Sequence, residues 1–239
     1  MNNSKELLKK GIESVPFIRN WFSFHKTWEY VGFLRFLFKQ VFPVFRGNRY
    51  VPYDKNSTVY GNILIGKNSR IAQRGGCYIQ GLGKVFIGDY VGIAQNCSVI
   101  SRNHKLTNQD EHVDRETIIG DHCWIASNSL IMAGVVLGTR TVVAAGSVVT
   151  KSFPDGYCLI AGNPAKMVKS ISREEFVPRH YKYEMYGYIP ADKFPAYKKK
   201  NLSHIKFHYD LSKVTSNTDL ILDSIADDGE IVEFAKSGC

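Results

Sequence analysis

Between Ile119 and Thr150 apolar and polar positions alternate on a six-residue beat that never slips. Ile119, Ile125, Ile131, Leu137, Val143 and Val149 are all branched aliphatics, each six residues after the last. Four places after each of the first five stands a compact residue: Cys123, Ser129, Val135, Thr141 and Ser147. An α-helix cannot carry this pattern, because six steps of roughly 100° turn the apolar side away from itself. A chain that turns a corner every six residues can carry it. Each hexad is then one flat face of a coil, with its aliphatic inward and its compact residue near the corner. Repeats this short predict a parallel β-helix, whose stacked coils bury one continuous core.

The beat also runs upstream. Val59, Ile65, Ile71 and Cys77 are six apart, with Ile63, Ser69 and Gly75 in the compact slot. Gly81–Lys84 reads as a short insertion, after which Ile87, Ile93 and Val99 resume, with Val91 and Cys97 in the slot. Ser101 to Glu116 has no beat and is polar, so it is predicted to be a loop thrown out between two in-phase blocks. Loops held on rigid scaffolds tend to carry function. After Thr150 the chain leaves through two turn signals, Pro154-Asp155-Gly156 and Gly162-Asn163-Pro164.

Three regions follow: a helical N-terminal segment (1–55), the β-helix (56–169) and a C-terminal extension (170–239). Residues 4–45 read as two helical pieces separated near Pro16. The second, Trp21 to Phe42, is crowded with aromatics, and Arg19, Lys26, Arg35, Lys39 and Arg46 are interleaved with them or flank them. Arg35 and Lys39 break the apolar run, so it is not expected to span a bilayer. Two readings stay open for residues 19–46: an aromatic face packed on protein, or an interfacial helix against anionic lipid. The extension shows no motif, and Lys198–Lys200 reads as a solvated turn. No nucleic-acid-binding module accompanies these lysines, so no nucleic-acid partner is expected.

Charge and cysteines add little beyond this. The net charge is +9, and its basic excess sits in the front and middle: residues 1–55 hold ten Lys/Arg against four Asp/Glu. Such an excess suits an anionic surface or a phosphate-bearing ligand without choosing between them. The five cysteines are odd in number and widely spaced, which points to a reducing compartment, with a cytoplasmic location expected. No secretory leader is evident in the first thirty residues.

His104 is the residue with the clearest chemical potential. It stands just where the chain leaves the repeat, and an accessible imidazole there suits the removal of a proton from a hydroxyl or amine. His112 lies in the same loop and reads as structural or acceptor-facing, while His122 falls at an outward slot and reads as plain surface.

Four pieces in this order, Ile93–His104, Ile119–Ile131, Ala144–Lys151 and Ala161–Lys166, resemble the hexapeptide-repeat acyltransferases. The branch is that of the maltose, galactoside and polysaccharide O-acetyltransferases. The resemblance covers residues 55–170 and implies a left-handed parallel β-helix. It implies transfer of an acetyl group from acetyl-CoA to a sugar hydroxyl, without a metal, with His104 as general base and no acyl-enzyme. By motif match, coenzyme A would meet Ser127, Ala145, Thr150 and Lys151. A backbone N–H near Ser127 or Ala145 would face the thioester oxyanion, and Lys166 and Lys169 would face the nucleotide phosphates. Asn96 and Trp124 would line the acceptor pocket. The resemblance also implies a homotrimer with sites between subunits. Gln80–Lys84 holds no carboxylate where some relatives place one for the acceptor, so the acceptor stays open among surface-polysaccharide sugars and amines. Two other classes fit the sequence less well. A zinc hydratase is disfavoured because His104, His112 and His122 lack the five-residue spacing of its ligands. A non-catalytic β-helix module is disfavoured by the His104 loop.

Overall fold

The computed structural model describes residues 50–179 and 181–224, so the expected N-terminal helices and residues 225–239 lie outside the described part. The fold is mainly β, a parallel β-helix of about five coils. It has the three flat faces that an eighteen-residue coil of three hexads requires.

The first face stacks the second halves of β1 (Thr58–Ile65) and β2 (Tyr78–Ile87), then β7 (Thr117–Ile119) and β10 (Val136–Leu137), all parallel. The second stacks β3 (Gly92–Ile93), β8 (Trp124–Ile125), β11 (Val142–Val143) and β13 (Cys158–Gly162). The third stacks the first halves of β1 and β2, then β4 (Ser98–Ile100), β9 (Leu130–Ile131) and β12 (Val148–Val149). The beat residues are paired coil on coil: Ile65–Ile87–Ile119–Leu137, Ile93–Ile125–Val143–Ile160 and Val59–Ile79–Val99–Ile131–Val149. Nearly all are fully buried, each contributing roughly 1.5–3 kcal/mol.

One register reading needs correcting. Cys77 is not an inward beat residue; Ile79 is, and Cys77 takes the compact slot two places before it. The early coils are therefore longer than eighteen residues. The compact slot has a physical reason. At four of the corners a carbonyl of the next coil is met by a small donor: Cys77 Sγ to Ala94 O at 3.2 Å, Cys97 Sγ to Ala126 O at 3.1 Å, Cys123 Sγ to Gly138 O at 3.2 Å, Ser129 Oγ to Ala144 O at 3.0 Å. Corner carbonyls would otherwise be poorly satisfied.

The C-terminal extension packs against the first face. That face is apolar on its outer side as well: Leu64, Phe86, Ile118 and Val136 are buried although they point away from the coil core. Covering them are Phe194, Leu202, Ile205, Phe207, Leu211 and Val214, with the Phe207 ring edge-on to Phe86 at 5.8 Å. Helix α1 (Phe194–Asn201) and the short α2 (Thr218–Ile221) belong to this layer. Lys198 corrects the solvated-turn reading: it is buried in α1, and its ammonium donates to the carbonyls of Asp219, Leu220 and Leu222 around the end of α2. Burial pulls its pKa down to about 8.

Candidate active site

Residues 101–116 form a β-hairpin, with β5 (Arg102–His104) antiparallel to β6 (His112–Asp114). It leaves the coil at the corner between the third and first faces. Its arms are tied by ion pairs between Arg102 and Asp114 and between Lys105 and Glu111. Those bonds hold the Asp114 and Glu111 carboxyls below their ordinary range. At the root, Arg115 N donates to Ser101 O at 2.8 Å. The corner beneath accommodates this only through glycine, since a side chain at Gly83 would run into the Ser101 carbonyl and the Arg115 backbone.

His104 is exposed on this hairpin, opposite His112, with ring centroids 4.4 Å apart. Its Nδ1 lies 2.6 Å from the Gln109 carbonyl, which can only accept. Nδ1 therefore carries the proton in the neutral ring, and Nε2 is left as the basic nitrogen. An imidazole so oriented is equipped to take a proton from an approaching hydroxyl or amine.

The remaining sequence candidates fall on two separate edges. Asn96, Ser127 and Ala145 occupy successive coils at the corner between the second and third faces. The stack is tied by Asn128 N to Gln95 O at 3.2 Å and Gly146 N to Ser127 O at 2.9 Å. Lys166 and Lys169 are exposed on β14 (Ala165–Ser170), antiparallel to β13, where Lys166 pairs with Ala161 and Lys169 with Leu159. They cap the second face beside the same edge, past the Asn163–Pro164 reversal. Thr150 and Lys151 stand instead on the edge that bears the His104 hairpin, both exposed, two coils further on. The third face separates the two edges. Ala145 and Thr150 are five residues apart across it, roughly 16 Å of extended chain. Within one chain, then, the expected base and most of the expected coenzyme contacts are not brought together.

Trp124 is 41% exposed on the outer side of the second face, its ring lying over Gly92, where an added Cβ would come within 2.6 Å of it. His122 corrects the plain-surface reading. It is stacked on Tyr90 at 5.1 Å and met edge-on by Phe176 at 5.0 Å, part of an aromatic ladder that the chain after β14 lays along the corner between the first and second faces. The thiols of Cys77, Cys97, Cys123 and Cys158 are buried, and burial pushes each one's pKa up, that of Cys123 to about 12, which makes them poor nucleophiles. Among the described residues no group of three or more His, Cys, Asp or Glu could hold a metal ion.

Sequence reasoning missed Glu116, which it counted as the end of a polar loop. Glu116 is only 6% exposed, and its carboxylate accepts from the backbone N–H of His208 and Tyr209, from His208 Nδ1 and from Lys84 Nζ. Nothing local signals this, because its partners are 32, 92 and 93 residues away.

Residues 116–151 match the bacterial transferase hexapeptide family of six repeats. The chain is 33% identical over 106 residues to the galactoside O-acetyltransferase of Escherichia coli K12, covering 43% of this chain and 50% of that protein. Among solved structures it is similar to a hexapeptide-repeat acetyltransferase of Vibrio cholerae complexed with acetyl-CoA, at 28% identity and a TM-score of 0.45, over 52% of this chain and 72% of the other. A galactoside acetyltransferase in complex with coenzyme A gives 26% identity and a TM-score of 0.42, over 54% of this chain and 70% of that one. The chain spans about half the length of the first curated relatives it matches. With its unbroken six-residue beat, its three-faced parallel coils and these sequence relatives, the β-helix of this chain resembles the hexapeptide-repeat transferases, whose repeat it carries over residues 116–151.

Proposed function

We propose that this protein is an acetyl-CoA-dependent acetyltransferase that acetylates a sugar hydroxyl, with His104 as general base and its active site shared between two copies of the chain. The observation that carries the reading is the exposed His104 on its hairpin, its Nδ1 engaged by Gln109 and its Nε2 available. In this mechanism Nε2 takes the acceptor proton as the hydroxyl oxygen attacks the thioester carbonyl. Collapse of the tetrahedral intermediate expels coenzyme A as its thiolate, which recovers the proton. Backbone N–H groups at the Ser127 and Ala145 corners stabilise the oxyanion, and Lys166 and Lys169 hold the nucleotide phosphates. The galactoside O-acetyltransferase relative favours a sugar hydroxyl as the acceptor.

The separation of the two edges supports a site between subunits. In a ring of copies the edge with Ser127, Ala145 and Lys166 of one prism faces the His104 edge of the next, as a homotrimer would provide. Asn96 and Trp124 then stand on the acceptor side. We further propose that the β-helix is the catalytic domain, and that the protein works in the cytoplasm on a surface-polysaccharide precursor, with residues 19–46 meeting the inner membrane face.

The test begins with calorimetry. Acetyl-CoA binds at micromolar concentration, and the Lys166→Ala/Lys169→Ala variant binds more weakly. Thiol release is then measured with galactosides and amino sugars as acceptors. His104→Ala is inactive and the lysine variant is impaired, and mixing the two restores part of the activity by assembling intact sites at shared interfaces. Full activity in His104→Ala would overturn the base assignment; no restoration on mixing would overturn the shared site.

A further inference from the structure

The two roots of the His104 hairpin are held in different ways. The outgoing root, Ser101, is fixed by the β-helix, apart from the Arg115 N–H across the root. Its N–H reaches Gln80 Oε1 at 3.2 Å, its Oγ donates to Gln80 O at 2.8 Å and accepts from Gly83 N at 2.9 Å. Arg102 N also donates to Gln80 Oε1, at 2.9 Å. The returning root, Glu116, is fixed mainly by the C-terminal extension. Its two carboxylate oxygens take His208 N at 3.0 and 2.9 Å, Tyr209 N at 3.0 Å and His208 Nδ1 at 2.9 Å. Lys84 Nζ, 3.2 Å away on the corner below, supplies the charge from the coil.

The segment that grips Glu116 runs as a strap across the first face. Beside the grip, Phe207 is wholly buried against Phe86. At the far edge Val214 O accepts from Asp121 N at 3.0 Å and from Thr139 Oγ1 at 2.9 Å, and Asn217 Nδ2 donates to Asp89 Oδ1 at 2.7 Å. The strap is thus tied at both edges of the face and packed in between. A buried carboxylate with three donors from one segment is a stiff joint, because loosening it would strand a charge and two backbone N–H groups.

We propose that Glu116 is a positioning residue through which the C-terminal extension sets the orientation of the His104 hairpin. This rests on His104 being the base. Arg115 and Glu116 continue directly from β6, whose His112 faces His104 across the hairpin. A tilt at the joint is therefore passed to the imidazole by the paired strands. In this reading the extension is a second support for the catalytic arm, and its docking is a requirement for turnover.

Glu116→Ala and Glu116→Gln are compared in the full-length chain, with His208→Ala as a control that keeps the backbone N–H donors. Amide hydrogen exchange is followed in peptides from residues 102–116 and from residues 119–149. Coenzyme A thiol release from acetyl-CoA is measured with a methyl galactoside as acceptor and, without it, with water. In Glu116→Ala the hairpin and residues 206–210 exchange faster, the coil peptides keep their protection, and turnover falls about 10- to 100-fold at unchanged KM for acetyl-CoA. Glu116→Gln, which keeps an acceptor for the backbone donors, recovers part of the loss, and it carries the test should the alanine variant not fold. Unchanged hairpin exchange, exchange raised equally in the coils, or a loosened hairpin with wild-type turnover would each overturn the proposal. If His104→Ala also keeps full turnover, it is the base assignment that fails, and the exchange data still report whether the extension holds the hairpin.

Discussion

Asp89 makes the docking of the C-terminal extension dependent on pH in a direction that can be worked out. Its carboxyl is buried and accepts from Lys67 N and Asn217 Nδ2, both at 2.7 Å, with the Asp121 carboxyl close by. Burial, and then the Asp121 charge, push its pKa up to about 7. In the unfolded chain the group ionises near its ordinary value, about 3.9. Between those values the folded state holds a proton that the unfolded state has released, so stability falls as pH rises. The favourable contribution is complete below the unfolded pKa and gone above the folded one. Over the whole window it amounts to about 4 kcal/mol, and between about pH 5 and pH 8 to roughly 3 kcal/mol. Asp89→Asn keeps the oxygen that accepts both hydrogen bonds and removes the titration. Urea unfolding of both proteins at fixed concentration, at about pH 5 and about pH 8, isolates the term. The asparagine variant gains on the wild type by about 2–3 kcal/mol between the two conditions. A difference that is flat with pH, or one that shrinks as pH rises, would refute the reasoning.

Other expectations follow from the same layer and from the site. Phe207→Ala removes a fully buried ring from the contact with Phe86, and is expected to lower unfolding stability by about 3–5 kcal/mol in urea titrations. His104→Ala is expected to lower the thiol-release rate by roughly 10²–10⁴-fold while calorimetry shows acetyl-CoA affinity retained. In a Cys239→Ser background the remaining buried thiols are expected to react with an aromatic disulfide reagent only after denaturation; fast labelling of the native protein would contradict their burial. Gly83→Ala puts a methyl group against the Ser101 carbonyl at the hairpin root. It is expected to raise hydrogen exchange in residues 101–116 more than in residues 119–149.

How much of this was legible depends on the range over which each residue is constrained. The inward aliphatics could be read because each is fixed by a corner six residues away, and the constraint repeats. The beat went wrong at Gly75 and Cys77, where the early coils lengthen and Cys77 takes the compact slot that the six-residue count gives to Gly75. The hairpin could be located because it breaks the repeat, and His104 because it stands at the break. The C-terminal extension could not be placed. Even so, the runs Ile63–Leu64–Ile65, Val85–Phe86–Ile87, Ile118–Ile119 and Val135–Val136–Leu137 carry apolar side chains on both sides of the first face. Such runs mark strands covered on both faces, so the sequence signalled that something would cover this side without naming the cover.

By itself, then, the sequence determined the coil, its core, its thiol-lined corners and the position of the one long excursion, since each follows from contacts that recur at a fixed short spacing. Only the tertiary structure decided which face the extension covers, that Lys198 and His122 are held within its layer or its aromatic ladder, and that Glu116 joins the hairpin to residues 208 and 209. It also decided that the base and most of the coenzyme candidates stand on different edges of the prism. These depend on pairings 21 to 128 residues apart, for which no local period exists and which only the packing of one layer on another brings about.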